Sequence, residues 1–547
     1  MPKPATKKQL PRTPPSKKPA PFKLTYATMF DPPTELHAKY EKALAKVKLN
    51  LGRDYGLLIN GRQQFATDRF ESRSPINTGW LLGTFPKGGR AEAEAALSAA
   101  HAAFPKWAGL KWQTRVRLLR RVAAEIEKRV YDISAIVSLE VGKNRMEALG
   151  DVQESADLIT FACDQMEANG GYIRELGRDP LAGFRSTNVS VLRPFGAWVV
   201  ISPWNFPTAL SGGPTGAALV TGNTVVLKPA TQTPLSVRLL AECFMAAGLP
   251  KGVFNFVTGP GGTLGQALIE DPRVAGLTFT GSYDVGMKLC RAMTVGRWTR
   301  PCIVELGGKN PAIVSRHADL DDAATGIVRS AFGLQGQKCS ATSRLFVDRA
   351  AKDALLEKLV AKMRSVQIGD PTEAGNWMGP VSSAAQYRDF GDYCETLSQA
   401  GAIVYGGRKL TGQGDGVDYS KGYFCEPTLV DNVPAGHALW QTEMFLPIVL
   451  VEGFDDLEQA MSRANDVAYG LTAGFYGSKK EATWFFDRIQ AGVVYANRPQ
   501  GATTGAWPGF QPFGGWKGSG SSGKNAGGLY YLPLYMHEQS RTFVERI

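Results

Sequence analysis

From Gly196 onward the chain alternates short apolar runs with segments of helical length, and this alternation constrains the fold more than any other feature. The apolar runs are Trp198–Ile201, Thr224–Leu227, Val253–Val257 and Leu277–Thr280, and the predicted helical segments between and after them are 211–221, 235–247, 262–270 and 283–293. Such alternation is typical of a parallel sheet, because parallel neighbours need a long crossover connection. We therefore predict an α/β fold whose ligand binds beyond the carboxyl ends of the strands.

Three polar or flexible positions follow the predicted strands, where such a ligand would bind. They are Asn205, Lys228 and Gly281. Gly281 and Gly286 open the last helix of the series, which leaves backbone N–H groups free to face a pyrophosphate. Helix-opening glycines also serve as ordinary caps, and no Gly-x-Gly-x-x-Gly pattern follows a strand, so this feature by itself leaves both interpretations open.

A cysteine, a carboxylate and an amide occur in settings that suit covalent catalysis. Cys339 lies in Gly336–Ala341 among small residues, Glu305 precedes two glycines, and Asn205 lies in the turn Pro203–Pro207. Acyl transfer through an enzyme thiol needs a nucleophile, a base and an oxyanion donor, which these residue types can supply. Singly, each has a structural alternative: a packed small hydrophobe, a turn carboxylate and a turn-capping amide.

Bulk properties limit the class of protein. A chain of 547 residues is too long for one core and predicts two or three domains. A content of 44% hydrophobic and 20% charged residues, without an apolar stretch long enough to cross a bilayer, predicts a globular protein without a membrane partner. The seven scattered cysteines indicate reduced thiols in a cytoplasmic setting, and the five isolated histidines predict no metal site.

The net charge of +12 is concentrated at the N-terminus. Residues 1–30 carry seven Lys and Arg, no acid and seven prolines. The prolines, together with a basic run that lacks interleaved aromatic residues, favour a disordered solvated tail over a nucleic-acid site. They also interrupt the amphipathic helix of a mitochondrial transit peptide, so we expect a cytoplasmic location, with the mitochondrial matrix as the alternative.

Six motifs, in matching order, resemble those of the aldehyde dehydrogenase superfamily from about residue 55 to the C-terminus. They are Lys228–Ala230, Phe279–Ser282, Glu305–Pro311, the segment around Cys339, Glu443–Pro447 and Pro512–Gly515. The resemblance implies a Rossmann-type cofactor domain, a second α/β catalytic domain and a β-arm for oligomerisation. The implied divisions are a disordered tail over 1–30, an NAD-binding domain over 31–304 interrupted by the arm near 172–193, and a catalytic domain over 305–518. A C-terminal return and oligomerisation strand follow over 519–547, and the last strand, near 532–546, belongs to the arm.

The same resemblance implies a homo-oligomer, a dimer or an assembly of dimers, because the arm pairs with a neighbouring subunit. The apolar segment Leu529–Tyr535 is expected to be buried in that partner. It also implies NAD as cofactor, held by Ser202, Trp204, Lys228, Thr231, Gly281, Ser282, Gly286, Glu443 and Phe445. Lys228 and Glu443 match the positions that hold the two riboses. Thr231 stands where NAD-preferring relatives often have Glu, so NADP remains an alternative.

The resemblance assigns catalytic roles and a small-molecule aldehyde as substrate. Cys339 would attack the aldehyde, Asn205 and the Cys339 N–H would stabilise the oxyanion, and Glu305 would activate the water that hydrolyses the thioester. The loop around residues 504–515 resembles the anchor loop of glutamate-semialdehyde dehydrogenases. There the N–H groups of Gly505 and Ala506 would bind an α-carboxylate, with Ser340 beside it and Phe513 packed on the aliphatic spacer. The alternatives are another aldehyde with the same mechanism, and a non-catalytic scaffold with this fold.

Overall fold

A computed structural model describes residues 22–414 and 416–547, and these residues form two α/β units with an antiparallel arm. The α/β prediction is therefore confirmed. Residues 1–21, most of the predicted tail, lie outside the described residues. In the part of the chain that is described, no helix combines the length and the hydropathy needed to cross a bilayer.

The first unit is built on a seven-stranded sheet in the order β12-β11-β8-β9-β10-β2-β3. Its strands are β2 (Leu57–Ile59), β3 (Arg62–Gln64), β8 (Ala197–Ile201), β9 (Thr224–Lys228), β10 (Phe254–Phe256), β11 (Val274–Thr280) and β12 (Cys302–Glu305). The five strands from β8 to β12 are parallel, as the alternation predicts, and β2 and β3 extend the sheet in antiparallel fashion. β12 ends at Glu305, so this residue belongs to the first unit and the boundary predicted before it lies after it.

Helices cover this sheet and leave its carboxyl edge open. They are α1 (Thr34–Lys48), α2 (Arg90–Ala108), α3 (Trp112–Lys128), α4 (Val130–Val141), α5 (Arg145–Ala168), α6 (Ala209–Thr221), α7 (Pro234–Ala246), α8 (Gln266–Glu270) and α9 (Tyr283–Thr294). The predicted helix over 262–270 begins as a wider turn, Gly261–Gly265, which continues into α8. Asn144 caps α5 by accepting hydrogen bonds from two backbone N–H groups of its first turn.

The second unit contains a sheet in the order β15-β18-β19-β14-β13-β21-β22, which is parallel except for β15. Its strands are β13 (Asn310–Val314), β14 (Thr342–Asp348), β15 (Ala402–Tyr405), β18 (Thr428–Asp431), β19 (Ile448–Phe454), β21 (Thr472–Tyr476) and β22 (Val493–Ala496). The covering helices are α10 (Leu320–Phe332), α11 (Arg349–Arg364), α12 (Ala384–Ala400), α13 (Leu457–Asn465) and α14 (Lys479–Arg488). Cys339 lies immediately before β14, in the unit that the resemblance assigns to catalysis.

The arm is a three-stranded antiparallel sheet in the order β24-β7-β6, with strands β6 (Ile173–Glu175), β7 (Phe184–Pro194) and β24 (Met536–Arg546). Almost every residue of β24 is exposed. The remaining strands form small sheets: β1 (Arg53–Asp54), β4 (Arg69–Arg73) and β5 (Leu81–Pro86); β16 (Gln413–Gly414) and β17 (Val417–Asp418); β20 (Tyr469–Gly470) and β23 (Trp516–Lys517).

Two expectations from the sequence are wrong. Residues 22–30, assigned to the disordered tail, form a turn whose Met29 is buried, because apolar side chains among these residues pack on the body of the protein. The segment Leu529–Tyr535, expected to be buried in a partner, divides instead: Leu529 and Tyr530 are exposed, whereas Tyr531, Leu532 and Tyr535 belong to the core of the first unit. A turn over Leu532–Tyr535 places these side chains against the sheet of their own chain.

Candidate active site

A cavity of about 800 Å³ opens at the carboxyl edge of the first sheet and extends towards the second unit. Its volume lies within the range of small-molecule and cofactor pockets. The predicted cofactor residues that line it are Ser202, Trp204, Lys228, Thr231, Gly281, Ser282, Glu443 and Phe445. The structure therefore brings together eight of the nine positions, which the chain supplies from four separate segments.

Gly286 is the exception and does not line this cavity. It lies one turn inside α9, and a Cβ at this position would clash with the Leu306 side chain. Glycine at this position permits close packing of α9 on the chain that follows β12, and its contact with a cofactor stays a prediction. Gly281 and Ser282, directly before α9, do face the cavity, where free helix N–H groups can receive a phosphate.

Lys228, the last residue of β9, holds a buried ammonium group at the cavity wall. Its Nζ donates a hydrogen bond to the Pro229 carbonyl oxygen at 3.0 Å, and an ammonium has further hydrogens to donate. Burial lowers the pKa of Lys228 to about 8. This position suits the hydroxyl groups of a nucleotide ribose.

Glu443 approaches from the second unit and accepts a hydrogen bond from the Gly308 N–H at 2.9 Å. Burial raises the pKa of its carboxyl to about 7. Beside it, Phe445 has a φ of 56° and meets the Trp204 ring edge-on at 5.6 Å. A carboxylate, a buried ammonium and a helix N-terminus that share one cavity fit the two riboses and the pyrophosphate of a dinucleotide.

The turn Gly333–Gly336 and Gln337–Lys338 present Cys339 at the junction of two cavities. Leu334 and Gln335 have φ values of 48° and 54°, a region that ordinary residues adopt at a cost of about 1 kcal/mol or more each. Glu147 on α5 holds the turn in place, since its carboxylate accepts from the Leu334 N–H at 3.0 Å and from Lys338 Nζ at 3.1 Å. The strained backbone is thus fixed by buried polar contacts.

Asn205 lies next to the same turn, with its amide aimed at the catalytic loop. Its Nδ2 donates to the Gln337 carbonyl oxygen at 3.0 Å, which fixes the orientation of the side chain. Burial raises the pKa of the Cys339 thiol well above its usual value, and the carboxylates of Glu443 and Glu305 raise it further. The backbone N–H groups of Ser340 and Cys339 act in the opposite direction, so they already point at the sulfur.

Glu305 is buried at the end of β12, and burial raises the pKa of its carboxyl to about 8. Its side chain lines a smaller cavity beside Thr280 and Tyr531, and not the large cavity that contains Cys339. The electrostatic effect of Glu305 on the thiol nevertheless places the two groups near each other.

Cys339 also lines a second cavity, and all four predicted substrate residues line it: Ser340, Gly505, Ala506 and Phe513. Gly505 has a φ of 105°, which favours glycine, and its carbonyl oxygen accepts from Arg498 Nη2 at 3.0 Å. This hydrogen bond from Arg498 stabilises the conformation of the loop.

Several residues that line this second cavity are not predicted from the sequence. Glu147, Glu154, Phe206 and Arg329 line it, as do Tyr26, Met29 and Phe30 from the segment that was assigned to the tail. The two glutamates and the arginine are single polar residues in helices. In the sequence they look the same as polar residues on a solvent-exposed helix face. Tyr26 and Phe30 are aromatic residues directly after the basic, proline-rich run, and this change of composition is the signal that could have been used.

Comparison with known proteins agrees with this geometry. Residues 62–540 match the Aldehyde dehydrogenase family. The chain is 38% identical over 512 residues to 1-pyrroline-5-carboxylate dehydrogenase 1 of Halalkalibacterium halodurans, covering 92% of this chain and 96% of that protein. It is 39% identical over 509 residues to 1-pyrroline-5-carboxylate dehydrogenase of Geobacillus thermodenitrificans, covering 92% and 95%. The crystal structure of 1-pyrroline-5-carboxylate dehydrogenase from Thermus with bound NAD superposes with a TM-score of 0.88 at 37% identity, covering 96% and 99%.

Proposed function

The chain belongs to the aldehyde dehydrogenase family, and on that premise we propose that it oxidises L-glutamate γ-semialdehyde to L-glutamate with NAD. The semialdehyde is the open form of 1-pyrroline-5-carboxylate, the compound in the names of its relatives. One observation carries the choice of substrate: the loop of Gly505 and Ala506 lies beside Ser340 in the cavity that contains Cys339. Clustered backbone N–H donors suit an α-carboxylate and offer nothing to an alkyl aldehyde.

The first chemical step forms a bond between Cys339 Sγ and the aldehyde carbon. The attacking species is the thiolate, so the thiol proton must leave before or during attack. The carbonyl oxygen becomes an alkoxide, which the Asn205 amide and the Cys339 N–H stabilise by hydrogen bonds. One such donor contributes about 10²–10³ in rate. The bond from Asn205 to the Gln337 carbonyl oxygen keeps the amide close to this position.

Oxidation then converts the adduct into a thioester on Cys339. NAD, when bound, supplies the ring that accepts a hydride from the former aldehyde carbon. Lys228 and Glu443 would hold its two riboses, and the N-terminus of α9 would face its pyrophosphate. Thr231 has no carboxylate that would repel the 2′-phosphate of NADP. NADP is therefore the alternative cofactor.

Hydrolysis releases the product. Glu305 takes a proton from a water molecule, the water oxygen bonds to the thioester carbon, and the carbon–sulfur bond breaks to return Cys339 and L-glutamate. A carboxyl whose pKa is raised to about 8 by burial is a stronger base than an exposed one.

The test is NADH formation with 1-pyrroline-5-carboxylate, compared with propanal and hexanal at equal concentration. We expect kcat/KM for the carboxylate-bearing substrate to exceed that of either alkyl aldehyde by about 10²-fold or more, since several charged hydrogen bonds contribute. The Cys339→Ala variant is the control and should bind NAD without forming NADH. Equal or greater activity on the alkyl aldehydes would retain the chemistry and reject the substrate.

The arm supports a further part of the proposal, a homo-oligomer built from dimers. β24 is exposed along its length, and the arm carries exposed apolar side chains that include Ile173, Phe184, Phe543 and Val544. A second copy of the chain would cover this surface. Light scattering of the wild type and of a Phe543→Asp variant tests this: a monomeric wild type would reject it.

All seven cysteines are free, which fits the proposed cytoplasmic location.

A further inference from the structure

Residues 22–30, here called the N-terminal segment, form a compact turn that precedes α1. The Thr25 N–H donates to Thr28 Oγ1 at 2.8 Å, and the Met29 N–H donates to the Thr25 carbonyl oxygen at 3.1 Å. Thr28 Oγ1 also donates to the Lys23 carbonyl oxygen at 2.7 Å. These internal bonds fix the shape of the turn, so that its apolar side chains face the protein together.

Three side chains of the N-terminal segment form one wall of the substrate cavity. Tyr26, Met29 and Phe30 line the same cavity as Cys339 and the anchor loop. Phe30 packs under the guanidinium of Arg329, 3.7 Å from its ring centroid, and this contact fixes the outer end of the wall. A segment outside both α/β units therefore helps to enclose the reacting thiol.

Tyr26 connects three parts of the site. Its hydroxyl donates to Glu154 Oε2 at 2.7 Å, which holds a carboxylate of α5 at the cavity wall. Its ring meets Trp507 of the anchor loop edge-on at 5.2 Å and Phe206 at 6.1 Å. Phe206 directly follows Asn205, the proposed oxyanion donor. Aromatic pairs of this geometry contribute about 0.5–1.5 kcal/mol beyond their buried area.

The anchor loop is held between α5 and the N-terminal segment. Trp507 Nε1 donates to Asp157 Oδ2 at 2.8 Å, and Lys23 Nζ lies 3.0 Å from the same carboxylate oxygen. The Lys23 ammonium also lies 5.5 Å from the Phe510 ring centroid. Trp507 and Phe510 belong to the same loop as Gly505 and Ala506, so these contacts bear on the position of the carboxylate-binding N–H groups.

The sequence of α5 is adapted to this contact. Gly150 lies inside the helix, where glycine costs about 1 kcal/mol relative to alanine. A Cβ at this position would lie 2.7 Å from Cε1 of the Tyr26 ring. Glycine thus allows the ring to approach α5 closely enough for its hydroxyl to reach Glu154.

We propose that the N-terminal segment closes the substrate cavity, and that Tyr26 is a positioning residue that sets the preference of this enzyme for a short aldehyde with an α-carboxylate. The inference rests on the proposed function and adds a specificity element to the same site. Without the segment, the anchor loop loses its packing partner at Trp507, and the cavity opens at the wall where Met29 and Phe30 lie. A displacement of about 1 Å in such a site can reduce the rate by about 10²-fold.

Substrate preference, expressed as the ratio of kcat/KM for 1-pyrroline-5-carboxylate to that for hexanal, tests the proposal. Two deletions are compared: removal of residues 1–21, which leaves the segment intact, and removal of residues 1–30. We expect the shorter deletion to keep the wild-type ratio and the longer one to lower it by about tenfold or more, with hexanal turnover equal or higher. An unchanged ratio after the longer deletion, in a folded protein, would overturn the proposal.

Point variants keep the test decisive if the longer deletion fails to fold. Tyr26→Phe removes only the bond to Glu154, and Tyr26→Ala also removes the ring from Trp507. The matched control is Tyr40→Phe, which removes a hydroxyl bond of 2.7 Å to Ser138 in buried helix packing away from the cavity. We expect a severalfold higher KM for the carboxylate substrate with Tyr26→Phe, a larger increase with Tyr26→Ala and none with Tyr40→Phe. Equal KM values in all three variants would reject the role of Tyr26.

The two proposals fail in distinguishable ways. The ratio in the wild type alone tests the proposed function, whereas the change of ratio between variants tests the N-terminal segment. If the wild type prefers alkyl aldehydes, the comparison of hexanal with propanal replaces the first ratio. Closure by Met29 and Phe30 then predicts that the longer deletion favours hexanal, and an unchanged chain-length preference would overturn closure.

Discussion

The two cavities that meet at Cys339 are built in different ways. The cofactor cavity is lined by residues at the carboxyl ends of β8, β9 and β11, next to conspicuous turns and glycines. The substrate cavity is assembled from the N-terminal segment, α5, the turn before β14 and the anchor loop. Parallel strands bring the ends of neighbouring segments together automatically, so a cofactor site follows from the sheet. A cavity assembled from distant loops depends on tertiary contacts, and its specificity can therefore change without a change in the sheet.

Loss of the residue shared by both cavities should have the largest effect. Cys339→Ala should lower turnover by about 10⁴-fold or more, because no other group can form the thioester. Binding of NAD should persist, since the proposed cofactor-binding residues are unchanged. Steady-state assays of NADH formation and a fluorescence titration with NAD check this prediction. Robust turnover in the variant would remove Cys339 from the mechanism.

Replacing the base should come next and should reveal the pH dependence. Glu305→Gln should slow hydrolysis of the thioester by about 10²–10⁴-fold. Because burial raises the pKa of Glu305 to about 8, its active deprotonated form is present above that pH and is lost as the pH falls through it. In the wild type, the rate of deacylation should therefore rise with pH through about 8. A flat profile, or full turnover in the variant, would be inconsistent with this role.

The substrate cavity can be perturbed alone through its anchor loop. Gly505→Ala places a Cβ at a φ of 105°, 2.7 Å from Arg498 Nη2, so the loop must shift. We expect kcat/KM for the carboxylate substrate to fall by about tenfold to 10²-fold, with KM for NAD and activity on hexanal nearly unchanged. Equal losses for both substrates would mean that the loop supports the site generally and does not select the carboxylate.

The cofactor cavity can be perturbed alone through Lys228. Lys228→Met keeps the aliphatic stem and removes the buried ammonium, so KM for NAD should rise by about tenfold while KM for the aldehyde stays within about twofold. The exposed Lys251→Met is a matched control with the same change of side chain, away from both cavities. An increase confined to the KM for the aldehyde would contradict the division of the site into two walls.

The residues that can be predicted from the sequence lie mainly in the cofactor cavity and at the catalytic residues, and those that cannot lie mainly in the substrate cavity. Cys339, Glu305 and Asn205 could be named because each lies in a short motif, and the strands from β8 to β11 because their apolar runs are regular. The role of Gly286 does not follow from the sequence, since a glycine that permits packing on Leu306 and one that faces a ligand look alike there. The composition of residues 1–30 as a whole predicts a tail, and the aromatic residues at the end of this stretch are too few to change that average.

The arm illustrates a further limit of sequence reasoning. Its strands were located from the resemblance, yet Tyr531 and Tyr535 pack in the core of their own chain and not in a partner. Tyr535 lies 4.8 Å from the Trp198 ring, and the two tyrosine hydroxyls are 2.9 Å apart. An apolar run can be buried by either kind of neighbour, and only the turn over Leu532–Tyr535 decides which.

The central claim is that the semialdehyde carbon becomes covalently bound to Cys339 and is released by Glu305. The most direct test is mass spectrometry of the Glu305→Gln variant after mixing with NAD and 1-pyrroline-5-carboxylate. We predict that a glutamyl group accumulates on the peptide that contains Cys339, and that the wild type shows little of it under the same conditions. An adduct on another of the seven cysteines, or turnover without any adduct on Cys339, would contradict the claim.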